Sequence, residues 1–342
     1  MVPPAMTDVE RLAGEVAAGD RRALARAITL IESTRADHRA AAEALVARLM
    51  GAARPGYRIG ISGAPGVGKS TFIEAFGLHL AGLGKRVAVL AVDPSSRRSG
   101  GSILGDKTRM PELSRLPAAF IRPSPAGTTL GGVARRTREA MVAVEAAGFD
   151  VVVVETVGVG QSETAVEDMV DVFLLLLAPG GGDDLQGIKR GVMELADLIV
   201  VNKADGDLAR AAQVAAGDFR NALGLMRPKT PYWKPKVLLA SALRRSGVAE
   251  VWAALCEYRE ALSGPGALDE RRAAQRLRWL WTEVEAGLAE ALRAHPAVAA
   301  SAGTLEAEVQ AGRLAPPAAA RALLAAFLAN GGQSPLPRTS SG

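Results

Sequence analysis

The stretch that decides the fold class is Gly63-Ala-Pro-Gly-Val-Gly68-Lys69-Ser70. It fits the pattern G-x-x-x-x-G-K-[ST] at every fixed position, and that pattern is typical of loops that hold nucleotide phosphates. A strand-like segment, 57–62, precedes it and a helical segment, 69–83, follows it, which is the context that the pattern requires. Glycines let successive backbone N–H groups face a phosphate, and the following helix N terminus adds a favourable dipole. The sequence therefore predicts a P-loop rather than a chance glycine-rich turn.

Strand-like apolar segments alternate with helical segments through the middle of the chain. Helices are predicted at 69–83 and 129–147, and 95–117 is polar and irregular. Strands are predicted at 57–62, 86–92, 119–121, 151–154, 172–177, 198–201 and 237–239. Because the strands are apolar throughout, we expect an α/β fold, with a doubly wound, mainly parallel sheet covered by helices on both faces.

Helical extensions are predicted on both sides of this P-loop domain, which spans 57–262. The N-terminal segment, 1–56, has two predicted helices within 8–50, separated at Gly19 and Asp20. A C-terminal arm, 263–330, has predicted helices at 268–294 and 304–330, and a tail, 331–342, is predicted to be disordered. The arm has apolar residues at helical spacing that either cover their own domain or form a dimer contact: Trp279, Leu280, Trp281, Val284 and Leu288.

Composition and charge argue against several classes of protein. The 41 Lys and Arg residues against 36 Asp and Glu give a net charge of +5, but they are spread along the chain and only 4% of residues are aromatic. Nucleic-acid binding is therefore not expected. A single cysteine, Cys256, excludes an intramolecular disulfide and favours a cytoplasmic setting. No secretory signal is evident, and the longest apolar run, 172–178, is too short to span a membrane.

The P-loop residues are predicted to bind the phosphates of a nucleotide. Lys69 supplies positive charge to the β- and γ-phosphates, and Ser70 supplies a hydroxyl ligand to Mg²⁺. The predicted contacts run through Gly63, Ala64, Pro65, Gly66, Val67, Gly68, Lys69, Ser70 and Thr71.

Three carboxylates are candidates for the remaining magnesium contacts. Asp93 ends the second strand, Glu155 follows 151–154 as a Walker B acid, and Asp106 lies in the loop 100–110. The carboxyl ends of parallel strands meet at the ligand crevice, so Ser70, Asp93, Asp106 and Glu155 form the predicted metal site. Asp93 could instead be a turn residue before Pro94. Lys69, Glu155 and Asp93 are the predicted catalytic residues.

The segment 155–158, Glu155-Thr156-Val157-Gly158, is predicted to be a switch. Gly158 could donate its N–H to the γ-phosphate and allow the loop to move when that phosphate leaves. A Ras-like mechanism places a water-orienting Gln just after such a glycine, but this chain has Val159 there and Gln161 is displaced. We therefore expect slow intrinsic hydrolysis.

A second motif, Asn202-Lys203-Ala204-Asp205, ends an apolar strand and predicts selection of guanine. The Asp205 carboxylate can accept hydrogen bonds from guanine N1–H and the exocyclic amine, a donor pair that adenine lacks. Lys203 would lie along the base and Asn202 would brace neighbouring loops. Backbone N–H groups of Ser241, Ala242 and Leu243, after the last strand, could reach guanine O6. The expected cofactors are GTP or GDP with Mg²⁺.

These motifs together resemble the MeaB/ArgK family of P-loop GTPases. The segments that carry the resemblance include GAPGVGKST (63–71), GGSILGDKTRM (100–110), VVVVETVGVGQSE (151–163), GGGDDLQGIKRGVMELAD (180–197) and NKAD (202–205). Of these, GGSILGDKTRM and ETVGVGQSE are the most specific. The resemblance implies a SIMIBI-like GTPase that forms homodimers and acts as a chaperone of an adenosylcobalamin-dependent acyl-CoA mutase. The resemblance further implies that the protein gates cofactor loading from an adenosyltransferase and protects or rescues the mutase. Methylmalonyl-CoA mutase is the default client, and isobutyryl-CoA and ethylmalonyl-CoA mutases remain open.

The resemblance also assigns residues. Asp93, Asp106 and Glu155 match the family's magnesium-site acids. The segment 180–191 matches a mobile loop that communicates with the mutase, with Asp183, Asp184, Gln186 and Lys189 as its polar residues.

Three other functions remain open at this point. A protein or amino-acid kinase of the transport ATPase type would need an acceptor site and a base, for which the sequence has no signal. A metal-insertion GTPase would need a His/Cys-rich segment, but His38, His79, His295 and Cys256 are isolated. A purely structural assembly factor would keep its function after the P-loop is mutated.

Overall fold

The computed structural model describes residues 6–33, 35–92, 110–123, 130–156, 162–179 and 190–329. The chain divides into two compact units, Met1–Gln275 and Arg276–Gly342. The first unit contains the sheet and the predicted nucleotide site. Asp93, Asp106, Gly158, Val159, Gln161, the loop 180–189 and the tail 331–342 lie outside the described residues.

The first unit is built around a seven-stranded sheet with the order β3-β2-β4-β1-β5-β6-β7, and every pair of neighbouring strands is parallel. The strands are β1 Tyr57–Ser62, β2 Val87–Val92, β3 Ala119–Arg122, β4 Val151–Thr156, β5 Val172–Leu177, β6 Leu198–Val201 and β7 Lys236–Leu239. The predicted doubly wound parallel sheet is therefore confirmed. The P-loop strand, β1, lies at its centre.

Twelve α-helices lie within the described part of the chain. They are α1 Met6–Ala17, α2 Arg21–Ile31, α3 Ala36–Ala52, α4 Lys69–Gly82, α5 Leu130–Ala146, α6 Ser162–Glu167, α7 Arg190–Leu195, α8 Ala209–Gly224, α9 Val248–Ser263, α10 Ala267–Ala294, α11 Pro296–Gln310 and α12 Pro316–Ala329. None of these helices is both long and apolar enough to cross a membrane.

Both faces of the sheet are covered, which explains why its strands are apolar throughout. On one face, Phe72 and Phe76 of α4 and Leu255 of α9 pack against residues such as Ile59 and Leu174. On the other face, helices α7 and α8 cover alternate residues of β5, β6 and β7, so that neighbours along a strand point into different cores. All residues of β4 and β5 are buried.

The prediction of two helices within 8–50 was wrong, because the structure has three. Asp20 caps α2 as expected, accepting a 2.7 Å hydrogen bond from the N–H of Ala23. The second helix ends at Ile31, where the guanidinium of Arg136, on α5, donates hydrogen bonds to the carbonyl oxygens of Ile31 and Ser33 at 3.0 and 2.9 Å. The helix end is therefore set by a tertiary contact that helical periodicity does not reveal.

The prediction of two helices in the C-terminal arm was wrong, because the structure has three: the predicted helix 304–330 is divided between α11 and α12. Helix α11 begins at Pro296, eight residues before the predicted start at 304, and Pro is favoured at the first helical position. Gly312, with a φ of +71°, lies between α11 and α12. Within this unit the side chains of Leu277, Leu280 and Trp281 are exposed.

Candidate nucleotide-binding site

The P-loop leaves the carboxyl end of β1 and leads directly into α4, which begins at Lys69. Two of its glycines are required by close contacts. A Cβ at Gly63 would lie 2.2 Å from the carbonyl oxygen of Leu176, and a Cβ at Gly68, where φ is +92°, would lie 2.8 Å from Nδ2 of Asn202. Only glycine fits at these two positions without displacing Leu176 or Asn202.

Lys69 and Ser70 lie on the first turn of α4, beside the end of β4. The Nζ of Lys69 donates to the carbonyl oxygens of Gly63 and Ala64, at 2.6 and 3.1 Å, and the side chain is mostly buried. The Oγ of Ser70 donates to Oε1 of Glu155 at 3.2 Å. The structure thus brings together the predicted phosphate lysine, a predicted magnesium hydroxyl and one of the predicted magnesium carboxylates.

Glu155 reaches this position because β4 lies next to β1 in the parallel sheet. Residue Ile61 of β1 is in register with Glu155, so the carboxylate is placed level with the beginning of the P-loop. An oxygen-only pair of this kind suits Mg²⁺, which prefers oxygen ligands and keeps several waters. Among the described residues, no group of three or more His, Cys, Asp or Glu side chains could hold a metal ion. The other two predicted acids, Asp93 and Asp106, lie outside the described residues.

Asn202 joins the P-loop to the loop after β7. Its Nδ2 donates to the carbonyl oxygen of Val67 at 2.9 Å, and its Oδ1 accepts from the N–H of Ala242 at 3.0 Å. The side chain is 2% exposed, so water does not compete for either bond. A single buried amide therefore fixes the distance between the predicted phosphate loop and the predicted guanine loop.

The residues predicted to bind guanine contact the P-loop and the loop after β7. Oδ1 of Asp205 accepts a 2.6 Å hydrogen bond from the hydroxyl of Ser241, whose Oγ also accepts from the N–H of Arg244. Lys203 has a φ of +58°, unusual for a lysine, and its Nζ donates to the carbonyl oxygen of Gly66 at 2.8 Å. Of the three backbone N–H groups predicted to reach guanine O6, that of Ser241 donates to the carbonyl oxygen of Ser246 and that of Ala242 donates to Asn202. The third residue, Leu243, has a side chain that is 76% exposed.

A buried polar contact that the sequence analysis missed lies under the P-loop. The hydroxyl of Thr156 donates to Oγ of Ser62 at 2.7 Å, and Ser62 donates to Oε1 of Glu163 at 3.3 Å. All three side chains are buried. The available signal was the change from apolar to polar residues where β1 and β4 end, since adjacent parallel strands bring such positions together.

Comparisons with known proteins agree with this geometry. The sequence profile described as methylmalonyl Co-A mutase-associated GTPase MeaB matches residues 24–297. The chain belongs to the MeaB family. A solved structure described as LAO/AO transport system kinase has a TM-score of 0.73 at 39% identity, covering 94% of this chain and 98% of its own.

Individual relatives of this MeaB-family chain cover nearly its whole length. A protein of Caulobacter vibrioides is 58% identical over 320 residues, which are 94% of this chain and 98% of that protein. The mouse protein called methylmalonic aciduria type A homolog, mitochondrial, is 47% identical over 93% of this chain and 79% of its own. The GTPase ArgK of Escherichia coli is 51% identical over 78% of this chain and 81% of its own. The protein is a P-loop GTPase that binds guanine nucleotide, as the sequence predicted.

Proposed function

We propose that this protein is a chaperone that uses GTP hydrolysis to gate the loading of adenosylcobalamin into a B12-dependent acyl-CoA mutase, and that it protects or reactivates this mutase. The most favoured client is methylmalonyl-CoA mutase, because the family's description names that enzyme. The adenosyltransferase that delivers the cofactor is a second partner, and a homodimer in the cytoplasm is the working form.

The observation that carries the nucleotide part of this proposal is the Asn202 bridge. One amide holds the P-loop carbonyl of Val67 and the N–H of Ala242 at once, so the phosphate and base loops keep a fixed separation. A site with this fixed span suits a nucleoside triphosphate bound at both ends. We propose that Ser70, Glu155, Asp93 and Asp106 hold the accompanying Mg²⁺, whose charge would neutralise the phosphate oxygens.

Regulation by the client is proposed from the absence of a glutamine at position 159. With Val159 in that place, basal hydrolysis is slow, and a partner must stabilise the productive arrangement of the switch. The loop with Asp183, Asp184, Gln186 and Lys189 is the proposed contact through which the mutase acts. Binding of mutase and of GTP must then influence each other by the same factor.

The test measures GTP hydrolysis with and without purified mutase, together with transfer of adenosylcobalamin from the adenosyltransferase. Asp183→Ala and Lys189→Ala should keep basal hydrolysis within about twofold but lose most of the stimulation by mutase. Two exposed charges elsewhere, Asp218 and Lys234, provide matched alanine controls that should be stimulated normally. Equal stimulation of all four variants would remove the loop from the mechanism, and no stimulation of the wild type would overturn the chaperone proposal.

A kinase remains the second candidate, because one similar solved structure is described as a transport system kinase. The two functions separate on the fate of the γ-phosphate. With GTP labelled at that position, a GTPase releases labelled inorganic phosphate, whereas a kinase transfers the label to a protein or an amino acid.

A further inference from the structure

A cavity of about 480 Å³ lies at the amino ends of the strands, on the edge of the sheet opposite to the nucleotide site. Tyr57 and Val151, the first residues of β1 and β4, form its floor, and Lys85 precedes β2. The P-loop begins at the other end of β1, six residues further on, and a strand of that length spans about 20 Å. The volume is within the range of about 300–1,000 Å³ that is typical of small-molecule sites.

The wall of this cavity, here called the basal cavity, is positively charged. Arg54, Lys85 and Arg259 line it together with one acid, Asp150. The Oδ2 of that acid accepts the backbone N–H of Arg86 at 2.7 Å, so part of its charge is already used. In the described part of the chain none of the three cations has a carboxylate partner. Three cations on one wall, with one carboxylate that is already partly engaged, provide a favourable place for an anionic ligand.

An aromatic surface forms another side of the basal cavity. Trp252 is half-buried and is held by the rings of Tyr57 and Phe76, whose centroids lie 6.3 and 6.1 Å from its own. The guanidinium carbon of Arg259 lies 5.3 Å from the centroid of Tyr57, which positions that cation at the rim. The wall therefore combines an indole held between two rings with three exposed positive side chains.

We propose that the basal cavity binds a small organic phosphate that carries a planar ring, as a second ligand site separate from the nucleotide site. The phosphate would lie among Lys85, Arg259 and Arg54, because arginine forms bidentate hydrogen bonds to phosphate oxygens and lysine supplies a point charge. The ring would lie on Trp252, since planar groups stack on an indole.

Cys256 provides a direct probe of this proposal. It is the only cysteine of the chain, it is half-buried, and it lines the basal cavity. Burial and then Glu260 raise the pKa of its thiol, whereas Arg259 and Lys85 act in the opposite direction. Both cations are thus close enough for a ligand bound between them to alter the reactivity of the thiol.

The experiment measures the rate at which iodoacetamide, an uncharged reagent, alkylates Cys256 in the full-length protein saturated with GDP and Mg²⁺. Phenyl phosphate is the probe, and phenol and inorganic phosphate test its two halves separately. Saturating phenyl phosphate should slow alkylation at least fivefold, inorganic phosphate should act only at higher concentration, and phenol should have no effect. Calorimetric titration with phenyl phosphate gives the dissociation constant independently.

Charge-removing variants then locate the site. Lys85→Gln and Arg259→Gln should each weaken phenyl phosphate binding about tenfold, the range expected for loss of one charge-assisted hydrogen bond. Arg227→Gln, which removes an exposed cation away from the cavity, is the matched control and should bind like the wild type. The variants should keep GTP hydrolysis unchanged, because neither cation belongs to the nucleotide site. The proposal would be overturned if 10 mM phenyl phosphate did not protect wild-type Cys256 from alkylation. It would also be overturned if phenyl phosphate protected Cys256 equally well in a variant that combines Lys85→Gln and Arg259→Gln.

Discussion

The hydroxyl of Thr156 lies 2.7 Å from the hydroxyl of Ser62, and the two residues are the last of β4 and β1. Ser62 in turn donates to Glu163, on the first turn of α6. The predicted switch segment, 155–158, includes Thr156, and Glu163 follows its last residue, Gly158, by five positions. Residues on both sides of Gly158 are therefore hydrogen-bonded to Ser62, which directly precedes the P-loop.

The first prediction follows from this contact. Thr156→Val keeps the shape of the side chain but removes the donor to Ser62, so we expect GDP affinity to change less than twofold while GTP hydrolysis falls roughly tenfold. The free energy of unfolding should decrease by about 1–2 kcal/mol, because a buried acceptor is left unsatisfied. Thr156→Ser retains the hydroxyl and is the matched control. Nucleotide titration, single-turnover hydrolysis and urea unfolding provide the three measurements; unchanged hydrolysis would show that this contact does not position the switch.

The second prediction concerns the choice of base. Asp205→Asn should lower the affinity for GTP about 100-fold, because hydrogen bonds to a charged group contribute about 1.5–3 kcal/mol each. Xanthosine triphosphate should bind better than to the wild type, since an amide can donate where a carboxylate can only accept. The Ser241 hydroxyl can still donate to the amide oxygen, so the loop should keep its structure.

Asp207→Asn, which changes an exposed acid two residues away, is the control for this base switch. Fluorescence titration with GTP, xanthosine triphosphate and ATP measures the effect. A wild type that binds ATP as tightly as GTP would contradict the role given to Asp205.

A third prediction concerns the residues assigned to phosphate and Mg²⁺ binding. Lys69→Ala and Ser70→Ala should both abolish hydrolysis, because they remove positive charge and a magnesium hydroxyl. Glu155→Ala, Asp93→Ala and Asp106→Ala should raise the Mg²⁺ concentration needed for half-maximal hydrolysis or slow turnover. Titration of hydrolysis with MgCl₂ distinguishes these effects, and Glu250→Ala, in an exposed position on α9, provides a baseline. The metal assignment would be wrong if all three acid variants kept the wild-type magnesium dependence.

A fourth prediction addresses the stability of the first unit. Asp171 is fully buried, and Arg272 contacts it at 2.7 and 2.5 Å while also donating to the carbonyl oxygen of Gly56. Arg272→Ala should lower the free energy of unfolding by about 3–5 kcal/mol, because it leaves a buried carboxylate without its cation. Arg276→Ala, one helical turn further on and exposed, should cost less than about 0.5 kcal/mol. Urea denaturation monitored by circular dichroism compares the two variants. If Arg272→Ala lowered the free energy of unfolding as little as Arg276→Ala does, the buried pair would add no stability.

The parts of the fold that could be predicted are those in which one local pattern has one structural meaning. The strands of β4 and β5 were evident because both faces of the sheet are covered and every residue is buried. The P-loop was evident because phosphate binding by backbone N–H groups requires glycine at fixed positions, and Gly63 and Gly68 are such positions.

Contacts between distant residues could not be predicted in the same way. The end of α2 depends on Arg136, which lies 105 positions after Ile31, and periodicity within a helix contains no information about such a partner. The bond between Thr156 and Ser62 depends on β4 being next to β1, and the order of strands is not a property of any one segment. The assignments of Asp93, Asp106, Gly158 and the loop 180–191 remain predictions from sequence.

The ion pair between Glu32 and Arg122 has a consequence for the synthesis of the chain. Glu32, at the end of α2, pairs with a side chain 90 positions later, on β3, and Arg136 of α5 follows later still. At roughly 5–20 residues per second, the ribosome needs about 5–20 s to reach these partners after it has made α2. During that interval the apolar faces of the first two helices have no sheet domain to pack against. The N-terminal helices are thus translated first but can complete their folding only after β3 and α5 have been made.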